Sequence, residues 1–271
     1  MSSLVENIVQ HYHTAMEAGD PRTADWLFIS TPWSALGLVC LYLMVVMVGP
    51  QVMKSREAFK INKLLVAFNF GLVLLSLYMF LEYILSVSSI PGFSFWCQGV
   101  DPGSHPSILR HARVSWLFFF SKFVEFFDTI FFILRKKNNQ ISFLRVYHHS
   151  SVPLMWWIVV KWSPGGTSFF GGSFNCFVHV VMYFYYMLSA FGPQYRKYLW
   201  WKKYVTILQL LQFNLDIIHI SYAMTIQDCT FPRWLLRLLF CYALTLNILF
   251  INFYYQEYAN RPAEKKELKS R

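Results

Sequence analysis

Residues 118–149 read FFFSKFVEFFDTIFFILRKKNNQISFLRVYHH. An apolar run carries Lys122, Glu125 and Asp128 in its middle and ends in the basic group Arg135, Lys136 and Lys137. A second apolar segment then opens with Arg145, His148 and His149. A bilayer is crossed by about 20 mostly apolar residues, so the stretch predicts two spanning helices joined by a basic turn. Ionisable groups inside such helices are costly in lipid; they turn inward and mark a functional site by default.

The rest of the chain repeats the pattern. It has 271 residues, 56% hydrophobic, 20% aromatic and 14% charged, where a soluble domain carries about 25% charged residues. That balance excludes disorder, collagen, a coiled coil and a disulfide-framed secreted scaffold. Seven spans are predicted, over 31–49, 64–86, 114–134, 143–161, 172–190, 204–226 and 233–255, followed by a short basic tail, 256–271. No long linker separates them, so one polytopic domain, 1–271, is expected. The acidic N-terminal stretch does not read as a cleaved signal peptide.

The net charge of +10 does not point to nucleic acid, because the basic residues cluster between apolar segments. Seventeen of the 24 Lys and Arg fall in the 1–2, 3–4 and 5–6 loops and the tail, with Arg145 at the mouth of the fourth span counted to the 3–4 loop. The positive-inside rule places that side in the cytosol and the N-terminus across the membrane. Trp200 and Trp201 beside Lys202 and Lys203 read as an interfacial belt, with substrate packing as the other reading.

Spacings of three and four put residues on one helix face. Lys122, Glu125 and Thr129, with Asp128 at the edge, form one such stripe. Arg145, His148 and His149 form a second. Asn175, His179, Met182, Tyr183 and Tyr186 form a third, and Gln209, Gln212, Asp216 and His219 a fourth. Four polar stripes in an apolar bundle imply one shared polar cavity. Individual members also have structural readings. Lys122 and Glu125 are spaced for a plain i, i+3 ion pair, Gln209 and Gln212 for interhelical bonding, and the tyrosines for packing. Three chemistries suit the set: a metal-dependent lipid hydroxylase or desaturase, nucleophilic catalysis by imidazole on a thioester, or a transporter or receptor with buried relays. The four in-helix histidines are too few for a di-iron site; a single metal ion stays open.

The boxes Lys122-x-x-Glu125-x-x-Asp128-Thr129, His148-His149, Asn175-x-x-x-His179-x-x-Met182-Tyr183-x-Tyr185-Tyr186 and Thr206-x-x-Gln209-x-x-Gln212, in this order, resemble the very-long-chain fatty acid elongases, the membrane 3-oxoacyl-CoA synthases. The resemblance runs from about Leu27 to Tyr258. It implies an all-α membrane protein of seven helices, six forming a barrel of two inverted three-helix units around a closed acyl tunnel, with the first helix outside. It implies condensation of acyl-CoA with malonyl-CoA in the endoplasmic reticulum. No cofactor or metal is implied, both CoA thioesters being substrates. The reductase, dehydratase and enoyl-CoA reductase of the elongation cycle are the expected partners, and a homodimer stays open.

Under the resemblance His148 or His179 carries the acyl group, with Asn175 and His149 stabilising developing charge and Glu125 and Asp128 orienting imidazoles. Lys122, Arg145, Lys202 and Lys203 are expected to bind anionic groups. Tyr183, Tyr186, Gln209, Gln212 and His219 complete the substrate wall. One departure stands out: Arg145 occupies the position where the family has the first histidine of its second box, which implies impaired activity. Cys97 and Cys229 fall in lumenal loops, where disulfides form, and are expected to pair; Cys40, Cys176 and Cys241 lie within helices and are expected free.

Overall fold

The computed structural model describes residues 2–100 and 105–260. Their regular structure is helical, with no strand among the described residues. The elements are α1 Ser2–Glu17, α2 Trp33–Val52, α3 Asn62–Ser88, α4 Pro106–Val124, α5 Phe126–Leu134, α6 Phe143–Trp162, α7 Phe169–Ala190, α8 Lys202–Thr225 and α9 Arg233–Tyr254. Trp33–Val52, Asn62–Ser88 and Arg233–Tyr258 are each long and apolar enough to cross a membrane. The basic tail residues Arg261, Lys265, Lys266, Lys269 and Arg271 lie outside the described residues.

Six of the predicted spans match single helices to within a few residues. The third, 114–134, is instead two helices, α4 and α5, and α4 starts eight residues earlier than expected. The interruption is at Glu125, whose N–H still bonds back to Ser121 O (2.9 Å) while Asp128 N–H closes a tighter turn onto Glu125 O (3.1 Å). Helix α1 has no counterpart among the expected elements. Its Leu4, Val5, Ile8 and Val9 are exposed, so it has no core face of the kind that makes a buried helix legible.

The helix contacts run in a closed circuit. Helix α3 packs on α4 and most extensively on α7; α4 packs on α6, α6 on α9, α9 on α8, and α8 on α7. Helix α2 stands outside this circuit against α5 and α6. There Tyr42 stacks on Phe126 at 4.3 Å between centroids, and its hydroxyl is 3.2 Å from Thr129 Oγ1. The N-terminal segment is fastened to the far end of α6: Trp162 donates to Ala15 O (3.0 Å), Trp157 to Phe28 O (2.9 Å) and Thr23 to Val160 O (2.9 Å). Such satisfied indole and hydroxyl donors are what an irregular segment needs if it is to be packed against apolar helices.

Cys97, between α3 and α4, is bonded to Cys229, between α8 and α9, across 132 residues of sequence. The loops are further joined where Gly99 N donates to Thr230 Oγ1 (3.1 Å) and Thr167 N to Gln98 O (2.8 Å). Cys40, Cys176 and Cys241 are free. A bridge closing so long a loop restricts the unfolded chain, a contribution of about 2–4 kcal/mol. Cys229→Ser is therefore expected to lower the thermal midpoint of the detergent-solubilised protein by several degrees. Differential scanning fluorimetry checks it, and adding reductant to the wild type should reproduce the loss.

Candidate functional site

The turn at Glu125 is where the site begins. Because the helix tightens there, Lys122 and Glu125 stay on the inner face while Thr129 swings out to Tyr42 on α2. Thr129 is thus no member of the inner stripe. Lys122 Nζ donates to Glu125 Oε1 at 2.7 Å and to Asn175 Oδ1 of α7 at 3.1 Å. It lies 4.1 Å above the Phe118 ring. Lys122 and Glu125 are each only 2% exposed. A charge that deep requires an opposite charge and hydrogen bonds together, and Lys122 has both.

The network continues across three elements. His179 Nδ1 is 3.3 Å from Glu125 Oε1. Since a carboxylate only accepts, Nδ1 carries the hydrogen and the Nε2 lone pair is left free. Asn175 Nδ2 donates to Gln212 Oε1 of α8 at 3.3 Å, and Gln212 Nε2 donates to Asp216 Oδ2 at 3.3 Å. One connected chain therefore runs His179–Glu125–Lys122–Asn175–Gln212–Asp216. Deeper toward α5, Tyr183 donates to Asp128 Oδ2 at 2.8 Å and is almost wholly buried.

Helix α6 supplies the histidine pair, but the two rings point apart. They meet edge to face at 5.5 Å. His148 lines a narrow cavity of about 100 Å³ that it shares with Asn175, Gln212, Asp216 and His219 and with apolar side chains of α6, α8 and α9. It also lies within range of the charges on Lys122 and Glu125. His149 turns toward α2 and α5, 6.2 Å from Tyr42 and 6.5 Å from Phe126 between ring centroids. Adjacent helical positions differ by about 100°, so both rings cannot face one space.

The remaining expected residues sit at various distances from this centre. Arg145 donates from Nε to Gln140 O (3.2 Å), lies over the Phe132 ring at 4.8 Å, and has the Tyr186 side chain near its charge. Gln209 is 3.4 Å from Met182 Sδ. His219 lies flat on Phe170 at 4.2 Å and bonds Phe95 O at 2.8 Å. Lys202 is held by Glu257 Oε1 (2.9 Å), and Lys203 lies 5.5 Å from the Tyr254 ring; both are at the start of α8, engaged with the C-terminal end of α9 and the turn beyond it rather than with the buried network. Glu82 pairs with Arg110 through two bonds of 2.8 Å. Among the described residues no group of three His, Cys, Asp or Glu is arranged to hold a metal ion.

One contact beside the site and one linkage within it are not legible in the sequence. Tyr42 lies in a plain apolar helix with nothing to distinguish it. Asp216 is visible in the α8 stripe, but its place at the end of a six-residue chain is not.

An all-helical membrane protein with a buried lysine–carboxylate–histidine network on a narrow cavity is the class that these features define. The family model described as "ELO: GNS1/SUR4 family" matches residues 27–266, and the chain belongs to that family. It is 46% identical to very long chain fatty acid elongase 4 of Mus musculus, over 98% of this chain and 84% of the relative. It is 45% identical to the Homo sapiens elongase 4 over 95% and 82%, and 42% identical to very long chain fatty acid elongase 7 of Rattus norvegicus over 95% and 92%.

The buried pair generates a stability prediction. Lys122→Met strands Glu125 as an uncompensated charge, a loss of about 3 kcal/mol or more. Adding Glu125→Gln should recover most of it, because the stranded charge is then gone. Chemical unfolding in detergent of the two variants and wild type measures the difference.

Proposed function

We propose that the chain extends long acyl-CoA chains by condensation with malonyl-CoA, giving a 3-oxoacyl-CoA two carbons longer, CO2 and CoA. The observation that carries this reading is His148 on the cavity wall beside the His179–Glu125–Lys122–Asn175 chain; the elongase relatives support it. The protein is a single domain of seven spanning helices. Six of them form a barrel of two inverted three-helix units around an acyl tunnel, and the contact circuit supports that arrangement.

In this reading the His148 imidazole nitrogen bonds to the thioester carbonyl as the C–S bond breaks, and the ring N–H proton passes to the departing CoA thiolate. The free Nε2 of His179 carries that proton across. Malonyl-CoA then loses CO2, and the electron pair of the broken C–C bond attacks the acyl carbonyl. The N–C bond breaks and the imidazole takes a proton from solvent. Asn175 and Lys122 stabilise the enolate, and Glu125 holds the His179 tautomer. His149, turned toward Tyr42 and Phe126, orients its neighbour. Asp128, with Tyr183 on it, keeps Arg145 and Tyr186 in place. Gln209, Gln212 and His219 shape the wall, and Lys202 and Lys203 attract CoA phosphates at the cytosolic mouth. No cofactor is required, and a closed tunnel keeps water from the acyl-enzyme.

The protein belongs to the endoplasmic reticulum in this reading, its N-terminus lumenal and its C-terminus cytosolic. The Cys97–Cys229 bridge fits loops that face an oxidising compartment. The reductases and dehydratase that complete the cycle are its partners.

Purified protein given labelled malonyl-CoA and a long acyl-CoA should release labelled 3-oxoacyl product. With acyl-CoA alone, intact mass should show an acyl adduct, absent in His148→Ala, whose condensation is abolished while the protein stays folded. No product and no adduct from wild type would defeat the reading.

Arg145 bears on the rate. Its guanidinium is permanently charged and is anchored on Phe132 and Gln140, so it exchanges no proton where the family has a histidine. Arg145→His is expected to raise condensation at least about tenfold, the low end of a general acid–base contribution. Equal or lower activity would instead mark Arg145 as the binder of a phosphate or of the malonyl carboxylate.

A further inference from the structure

The cavity wall is hydrocarbon along most of its length, with Ile220, Leu236 and Leu239 among its residues. Among the polar groups that interrupt it, Asp216 keeps a buried oxygen without a partner. Asp216 is 8% exposed; its Oδ2 accepts from Gln212, but its Oδ1 is buried with no hydrogen-bond partner. A buried oxygen left in that state carries a desolvation cost, and native sites that keep one hold it for a ligand or a water. Across from it on α7 is Gly171, which also lines the cavity. A Cβ at Gly171 would stand 3.8 Å from Asp216 Oδ1, so at this position α7 puts no side chain against the unpartnered oxygen. The neighbouring polar groups are already committed: Thr167 to Gln98, Ser168 to Gly165 and His219 to Phe95.

We infer that Asp216 Oδ1, opposite Gly171, is a subsite for a hydroxyl group carried partway along the acyl chain, so that the preferred substrates are hydroxyacyl-CoAs. An alcohol both donates and accepts, and therefore satisfies Asp216 whether the carboxyl is ionised or protonated. An amine or a second carboxylate would bring a further charge into an apolar slot. A plain hydrocarbon chain leaves Oδ1 unpaired and displaces any water that served it. Discrimination of this kind, by a buried polar group left without its partner, is the form in which a pocket rejects the analogue that lacks a hydroxyl. The inference rests on the proposed acyl-CoA chemistry for its ligand class, but binding tests it apart from turnover.

The experiment uses the full chain in detergent and thioether analogues of acyl-CoA, which bind without reacting. One analogue is unsubstituted; the others have the same length with a single hydroxyl walked along the chain. One positional isomer is expected to bind at least about tenfold tighter than the unsubstituted chain, the scale of one net hydrogen bond. Asp216→Leu should abolish that preference. Gly171→Ala, which meets only an ordinary van der Waals contact and so keeps the fold, should reduce it by crowding the hydroxyl. Isomers that all bind no tighter than the plain chain would overturn the subsite and leave Oδ1 to a water. A preference that survives unchanged in either variant would overturn it too. A preference found in a protein that makes no product from malonyl-CoA would uphold the subsite while defeating the condensation reading.

Discussion

The ion pair between Lys122 and Glu125 is the constraint around which the molecule is arranged. Two opposite charges 2.7 Å apart in an apolar bundle repay their desolvation only if further hydrogen bonds complete each of them. Lys122 therefore reaches α7 at Asn175, and Glu125 reaches α7 at His179. Those bonds settle which face of α7 turns inward, and Asn175 in turn settles α8 through Gln212. Polar partners that are satisfied only in one relative rotation of three helices act as a register device. Leu, Phe and Val packing alone would tolerate many rotations.

Most of the helix pattern is legible in the sequence because long apolar segments announce themselves by length. The inner faces of α7 and α8 are legible because both helices are regular between Asn175 and Tyr186 and between Gln209 and His219, so a spacing of three and four maps directly to a face. The same rule fails where the backbone departs from a regular helix. Spacing groups Thr129 with Lys122 and Glu125, yet the tightened turn at Glu125 sends it to Tyr42. Proximity groups His148 with His149, yet neighbours on one helix diverge, and only His148 meets the cavity. Helix α1 gives no signal because it buries no stripe. Its attachment to α6 is made through a backbone carbonyl, which is the same for every residue type.

The division of labour within α6 comes from its position. It contacts α2 on one side and α4 and α9 on others, so its first turns carry one histidine toward the outer helix and one toward the cavity. Pro153 sits within it, removing one backbone donor from the ladder. Ser151, two residues before, spends its hydroxyl on Tyr147 O at 2.6 Å and lies 2.9 Å from the Tyr242 hydroxyl of α9. The helix is thus held to α9 just where its own ladder is weakest.

The fastening of the first thirty residues to the far end of α6 has a practical corollary for anyone who shortens or re-engineers the chain. From His148 to Trp162 is about 20 Å along the axis at 1.5 Å per residue. Residues 15–28 hold the last turns of this strut through the carbonyls of Ala15 and Phe28, the hydroxyl of Thr23 and the amide of Asp20. The leading segment works as a hasp on a lever whose other arm carries the imidazole pair. Trimming it back to the first apolar helix, a routine economy in protein production, removes none of the polar network and yet frees the element that aims it. A fusion partner is accordingly better joined ahead of Ser2 than put in place of residues 2–30.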